Sequence, residues 1–104
     1  MEFDHIAISS KNIKRSVEWY VENLSCVIEY QDETWAMLKS GNMKIAIVTK
    51  GQHPPHIAFK VSNRVEMPCE EGKIKTHRDG SSYLYGADPD GNIVEWVAYT
   101  NDEE

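Results

Sequence analysis

Apolar and polar positions along the first half of the chain predict the order strand, helix, strand, strand, strand. Phe3–Ser9 is short, apolar and bounded by polar residues, which is typical of a strand. Ser10 or Asn12 can cap a helix that follows it. The helix is indicated by one apolar stripe with helical spacing: Ile13, Val17, Tyr20, Val21 and Leu24. The turn-forming sequences QDE and SGN then separate three predicted strands: Cys26–Gln31, Thr34–Lys39 and Met43–Thr49.

The same pattern begins again in the second half of the chain. The segment DHIAIS at Asp4–Ser9 returns as PHIAFK at Pro55–Lys60, so that two His-Ile-Ala sequences begin 51 residues apart. The connector GQHPPH lies between the halves, and its prolines cannot donate to a sheet ladder. The second half predicts four strands: His56–Val61, Lys73–His77, Ser81–Ala87 and Ile93–Tyr99. Residues 1–50 and 54–100 therefore form a predicted pseudo-repeat of one strand–helix–three-strand unit.

Two local features distinguish the second copy from the first. DPDGN at Asp88–Asn92 predicts a hairpin turn before the last strand, in which Gly91 supplies the positive φ. The segment SNRVEMPCEEG contains Pro68 and leaves room for at most one helical turn. We therefore expect an α+β protein of paired βαβββ units whose second helix is shortened or missing. One face of the second sheet would then lack cover, which favours a homodimer.

Composition and charge narrow the classes of function. The chain has 104 residues, which is the size of a single domain, and 40% of them are hydrophobic. No apolar run approaches the roughly 18 residues that cross a bilayer, so we expect no membrane partner. A net charge of −6 repels nucleic acid. The N-terminus lacks the pattern of a secretory signal, and Cys26 and Cys69 form no C-x-x-C pair, so we expect reduced thiols and a cytoplasmic location.

Three ionisable side chains interrupt strands that are otherwise apolar: His5, His56 and Glu95. Taken singly, each histidine is more often a hydrogen-bonded strand residue than a ligand, and the glutamate is more often exposed. The histidines, however, occupy equivalent places in the two repeats. Two imidazoles and a carboxylate that converge on one cation would satisfy three buried polar groups together. As a set, they predict a metal site.

These segments resemble one known superfamily over nearly the whole chain. FDHIAIS, the helix that ends in WYVENLS, PHIAFKVS and YGADPDGNIVEW are similar to the vicinal oxygen chelate superfamily. Its members include glyoxalase I, bleomycin resistance proteins, fosfomycin resistance proteins and extradiol dioxygenases. The resemblance implies a curved mixed sheet of paired βαβββ units around a metal, within one chain or across a dimer. It also implies that His5, His56 and Glu95 bind one divalent cation, whether Mn, Fe, Ni, Zn or Mg.

The departures from the superfamily pattern bear on the activity. Glyoxalase I has a further carboxylate ligand on the last strand of its first unit, where this chain has only apolar residues in Ile45–Val48. Glyoxalase I activity is therefore not expected. Three ligands resemble the fosfomycin resistance enzymes more closely, and the chain is too short for a two-domain dioxygenase. We expect a metal-dependent lyase, isomerase or transferase that acts on a small, oxygen-rich substrate, neutral or anionic, by Lewis-acid stabilisation.

Candidate substrate-binding residues follow in the second repeat. KIKTHRDG concentrates positive charge in Lys73, Lys75, His77 and Arg78, which could bind a phosphonate, phosphate or carboxylate. A solvated edge strand protected by lysines explains the same pattern equally well. Tyr83 and Tyr85 alternate on the next strand, where they line a pocket or are ordinary half-buried strand residues.

Two functions without catalysis fit the same fold. Bleomycin-resistance-like members bind a drug and sequester it, and they generally lack the ligand triad. A second alternative is an interaction module in which the ligand residues are vestigial and dimerisation is the function. The metal content of the protein distinguishes the enzyme hypothesis from both.

Overall fold

The computed structural model describes residues 1–49, 51, 53–68, 73–77 and 79–99. Its strands and single α-helix are, in chain order, β1 Glu2–Ser10, α1 Ile13–Leu24, β2 Val27–Gln31, β3 Trp35–Ser40, β4 Met43–Thr49, β5 His56–Lys60, β6 Lys75–Thr76, β7 Ser82–Ala87 and β8 Ile93–Ala98. A 3-10 turn at Arg64–Glu66 takes the place of a second helix. The predicted order of elements is therefore confirmed. Among the described residues, no helix is both long enough and apolar enough to cross a membrane.

The chain divides into two compact units with the same topology. The first-repeat unit is His5–His56, and the second-repeat unit combines Met1–Asp4 with Ile57–Glu104. The first-repeat unit has the strand order β2-β3-β4-β1, in which only β4 and β1 are parallel. The second-repeat unit has the order β6-β7-β8-β5, in which only β8 and β5 are parallel. The predicted fold class, paired βαβββ units with a shortened second helix, is confirmed.

Local hydrogen bonds set the beginning of α1. The side chain of Asn12 accepts a hydrogen bond from the backbone N–H of Arg15 at 3.0 Å, so Asn12 is the N-cap. Ser10 supports this cap, because its Oγ accepts from the Asn12 N–H at 3.0 Å and lies 2.6 Å from the Oγ of Ser16. Of the two predicted caps, Asn12 caps the helix and Ser10 restrains the cap.

One face of the first-repeat sheet forms a core with α1. The buried cluster consists of Ile13, Val17, Cys26, Ala36, Leu38 and Ile47. The predicted helical stripe is longer than the buried one, since Val21 and Leu24 are 37% and 48% exposed. Side chains alternate along β1, so Ile8, which packs against this core, and His5 point to opposite faces. His5 therefore projects from the face that α1 does not cover.

The second-repeat unit has a smaller core made of Val61, Met67 and Ala98, packed by Ile74, Leu84 and Trp96. Gly86 allows the Trp96 ring to lie against the sheet, because a Cβ at Gly86 would be 2.9 Å from Trp96 Cζ3. Trp96 follows Glu95 on β8, so the two side chains point to opposite faces. Glu95 thus projects from the face of the sheet away from this core.

Candidate metal centre

His5 and His56 form a buried pair within the first-repeat unit. Their Nε2 atoms are 3.3 Å apart, and the side chains are 8% and 7% exposed. The rings meet edge to face, with an interplanar angle of 74°. The two His-Ile-Ala segments therefore bring their histidines together.

The backbone of the connector orients His56. Its Nδ1 lies 2.7 Å from the carbonyl oxygen of Pro54, and a carbonyl can only accept. The hydrogen bond therefore requires a proton on Nδ1, which in the neutral imidazole leaves the lone pair on Nε2. That atom is the one that faces His5, so the ring is held in the tautomer that a metal ligand needs.

Glu95 lies on β8 in the second-repeat unit and is 2% exposed. Its Oε2 accepts a hydrogen bond from His77 Nε2 at 2.8 Å. The His77 ring in turn stacks on Tyr83, with centroids 3.6 Å apart and planes 11° from parallel. A buried carboxylate is costly without hydrogen bonds, and His77 supplies one of them.

Strand register places part of the predicted substrate-binding set on the face of Glu95. Glu95 pairs with Tyr85 across β7 and β8, and Lys75 pairs with Tyr83 across β6 and β7. Directly paired residues share a face, and so do residues two apart on a strand. Tyr85, Tyr83 and Lys75 therefore share the face of Glu95. Lys73 precedes β6 and is exposed, whereas the predicted site residue Arg78 lies outside the described residues.

The two tyrosines are half-buried and differ in their surroundings. Burial, with the negative charge of Glu95 and the neighbouring Tyr83, raises the pKa of Tyr85 well above its usual range. Its hydroxyl therefore remains a hydrogen-bond donor at neutral pH. Tyr83 packs against both His77 and Tyr85, so its ring holds neighbouring side chains in place.

The sequence did not indicate the contact that His77 makes with Glu95. The sequence places His77 in the predicted cationic segment, whereas its side chain donates to a carboxylate 18 residues away. The local feature next to His77 is the turn that follows it. In that turn, Asp79 Oδ1 accepts hydrogen bonds from the N–H and the Oγ of Ser81, at 2.8 and 2.6 Å. Such an Asx turn marks a chain reversal, but it does not say which strand the histidine reaches.

Comparisons with known proteins bear on the fold. No protein-family model and no curated protein matches the chain. Among solved structures, methylmalonyl-CoA epimerase of Streptomyces coelicolor in complex with 2-nitronate-propionyl-CoA is 17% identical, with a TM-score of 0.71 over 96% of this chain and 98% of that one. Methylmalonyl-CoA epimerase of Mycobacterium tuberculosis is 17% identical, with a TM-score of 0.73 over 95% and 88%. A hypothetical protein of Bacillus halodurans is also 17% identical, with a TM-score of 0.75 over 95% and 94%.

The epimerases belong to the vicinal oxygen chelate superfamily. This chain has the vicinal oxygen chelate fold. Likeness at this level of identity concerns the fold alone, so the chemistry must be argued from the side chains.

Within the vicinal oxygen chelate fold, the repeat defines which positions are equivalent. In the second repeat Ala58 pairs with Glu95, and in the first repeat Ala7 pairs with Ala46. Ala7 and Ala58 are the same residue of the His-Ile-Ala repeat, so Ala46 is the counterpart of Glu95. The first repeat thus carries a methyl group where the second carries a carboxylate.

Proposed function

We propose that the chain is a divalent-metal-dependent enzyme that acts on a small, oxygen-rich substrate, and that His5, His56 and Glu95 bind the cation. The observation that carries the proposal is the buried His5–His56 pair, whose Nε2 atoms face one another at 3.3 Å. Two imidazole nitrogens held this close together in a buried pair form a donor set to which a divalent cation is suited.

The donor set fits such an ion. Two neutral imidazoles and a carboxylate accept Mn, Fe, Ni, Zn or Mg, with imidazole favouring the transition metals. The carbonyl of Pro54 orients His56 in the way that outer hydrogen bonds orient metal-binding histidines. Burial supports the third ligand, because the Glu95 carboxylate is 2% exposed in an otherwise apolar strand. When bound, the cation supplies Lewis-acid stabilisation of negative charge on a substrate oxygen.

The residues around Glu95 are proposed to bind and orient the substrate. Tyr85 keeps its proton at neutral pH and can donate to a substrate oxygen. Lys75 lies on the same face, and Lys73 and Arg78 complete the cationic segment that would attract an anionic group. Tyr83 would limit the width of the site through its stacking on His77.

Lyase, isomerase or transferase chemistry is compatible with three protein ligands. The alanine at position 46 argues against a glyoxalase I mechanism, whereas the ligand count suits fosfomycin-resistance-type chemistry. Similarity to epimerases, one of them in complex with 2-nitronate-propionyl-CoA, adds acyl-CoA thioesters to the substrates worth testing. All of these substrates offer an oxygen on which negative charge can develop.

We also propose an oligomeric state and a location for the protein. The short turn Arg64–Glu66 in place of a second helix, and the exposed side chains of Val27 and Ile28 on β2, support a homodimer. Cys26 is a buried free thiol, which suits a reducing cytoplasm, and Cys69 lies outside the described residues. Neither proposal depends on the metal.

Metal content tests the enzyme hypothesis. Protein purified without chelator should contain close to one divalent ion per chain, and His5→Ala, His56→Ala and Glu95→Gln should each lose it. His53→Ala is the matched control, because His53 belongs to the same connector and has no proposed role. Adding the ion to stripped protein at about 100 times its Kd should stabilise the fold by about 2.7 kcal/mol.

The opposite result would favour the alternative, a bleomycin-resistance-like protein that binds a small molecule without catalysis. Metal-free protein whose melting temperature is unchanged when Mn²⁺, Ni²⁺, Zn²⁺ or Fe²⁺ is added would contradict the hypothesis of a metal-dependent enzyme. A thermal-shift screen of diols, epoxides, keto acids, phosphonates and acyl-CoA thioesters, with and without metal, then identifies the ligand class. Product analysis by mass spectrometry separates turnover from sequestration.

A further inference from the structure

The contact between His77 and Glu95 has no part in the function proposed so far. We infer that His77 is a positioning residue, which orients the Glu95 carboxylate for the cation and is itself held by Tyr83. The inference rests on the proposed role of Glu95 as a metal ligand. It assigns His77 to a carboxylate rather than to an anionic substrate group, and it gives Tyr83 the further task of holding the His77 ring.

The hydrogen bond acts on one oxygen of a buried group. His77 Nε2 donates to Glu95 Oε2 at 2.8 Å, and Glu95 is 2% exposed. A carboxylate held at one oxygen loses the freedom to rotate about its terminal bond. Loss of that freedom before binding lowers the entropic cost of coordination.

His77 is restrained on both its backbone and its ring. Its N–H donates to the Ser81 carbonyl at 2.9 Å, and its own carbonyl accepts from the Gly80 N–H at 3.0 Å. The ring lies 3.6 Å from that of Tyr83 and nearly parallel to it. A donor fixed at both ends can define the direction of the carboxylate, whereas a mobile surface histidine could not.

Asparagine and glutamine at position 77 form a matched pair that tests the inference. The amide nitrogen of glutamine reaches the place of imidazole Nε2, whereas that of asparagine reaches only the place of Nδ1. We expect His77→Gln to bind Mn²⁺ within about threefold of the wild type, and His77→Asn to bind 10–100-fold more weakly. Calorimetry on stripped protein measures the affinity, and Thr76→Ala, at an exposed neighbouring position, should match the wild type.

Substitutions of Tyr83 give a second, independent test in which the hydrogen-bond donor, His77, is unchanged. Tyr83→Phe keeps the stacked ring and should retain the wild-type Mn²⁺ affinity, whereas Tyr83→Leu should weaken it by releasing His77. Urea unfolding in the presence of EDTA shows whether each variant is folded. If His77→Asn does not fold, the two Tyr83 variants still decide the outcome.

Each result separates the inference from the function on which it rests. Wild-type protein that binds no divalent ion overturns both. Binding by the wild type with equal affinity in His77→Asn overturns the positioning role alone. Equal weakening in His77→Asn and His77→Gln also overturns it, because a residue that only donates a hydrogen bond would be rescued by glutamine.

Discussion

A single backbone carbonyl decides which nitrogen of His56 faces His5. Pro54 contributes that carbonyl, and its two-proline context keeps the connector out of the sheet, where the carbonyl would be used in a ladder. The tautomer of the histidine is thus set by a residue that has no side-chain chemistry of its own. A histidine in an apolar strand is ambiguous, and its hydrogen-bond partner removes the ambiguity.

Tyr99 gives a prediction about pH at the scale of one residue. Its hydroxyl donates to Asp4 Oδ2 at 2.6 Å, and burial together with this hydrogen bond raises its pKa above the ordinary value of 10.0. The neutral phenol is therefore favoured in the folded state. Its contribution to stability is complete below about pH 10, where the phenol is also protonated in the unfolded chain, and is lost as the pH rises through the folded-state pKa.

Urea unfolding between pH 7 and pH 11 measures this contribution. Tyr99→Phe should lower the free energy of unfolding at pH 7 by about 1–3 kcal/mol, because a hydrogen bond to a charged group is lost. The same substitution should flatten the fall in stability above about pH 10. Asp4→Asn keeps an acceptor for the hydroxyl and should cost less at pH 7. A slope at high pH that is unchanged in Tyr99→Phe would contradict the assignment.

At the scale of elements, the alternation of side chains along a strand places core residues on one face of each sheet and Ala46 or Glu95 on the other. In β4, Ile47 packs into the core with α1 while Ala46 points to the other face. In β8, Trp96 packs into the second core while Glu95 points away from it. A one-residue shift in either strand would exchange core and site, so the register is strongly specified.

The end of α1 gives a prediction about the stability of an element. Ser25 caps the helix with φ 53° and ψ 34°, the left-handed conformation that a Cβ makes unfavourable. Ser25→Gly should raise the free energy of unfolding by about 1 kcal/mol, since glycine has no such penalty. Ser25→Ala retains the Cβ and serves as the matched control. Equal stability of the two variants in urea unfolding would refute the strain argument.

At the scale of the whole molecule, we predict that residues 1–104 unfold as a single domain. The first-repeat unit ends at His56, within β5, and the second-repeat unit includes Met1–Asp4, within β1. Chains of about 50 residues seldom bury enough surface to be stable alone.

The positions of the three tryptophans allow each unit to be observed separately. Trp19 and Trp35 belong to the first-repeat unit and Trp96 to the second. Replacing Trp96 by Phe leaves fluorescence from the first unit, and replacing Trp19 and Trp35 by Phe leaves fluorescence from the second. Within each variant, the fluorescence midpoint in urea should match the midpoint of far-UV circular dichroism. Separate transitions would contradict a single domain.

The sequence alone was sufficient for the order of the strands, for the helix and for the shortening of the second helix, and it nominated three candidate ligands. These features depend on apolar spacing, caps, prolines and turn residues that act within a few positions of one another, as Asn12 and Pro68 do. The duplicated His-Ile-Ala segment carried the ligand hypothesis, because a repeat is visible without any coordinates. The spacing predicts a longer apolar stripe on the helix than the structure buries, because burial of Val21 and Leu24 would require an opposing surface.

Only the tertiary structure decided which polar groups meet. The bond between His77 and Glu95, and the equivalence of Ala46 and Glu95, arise from strand register and from a turn that reverses the chain. Such contacts join residues distant along the chain, and their geometry depends on the packing of every element between them. Local patterns can nominate ionisable residues for a site, but the direction of each side chain and its hydrogen-bond partner are properties of the folded chain.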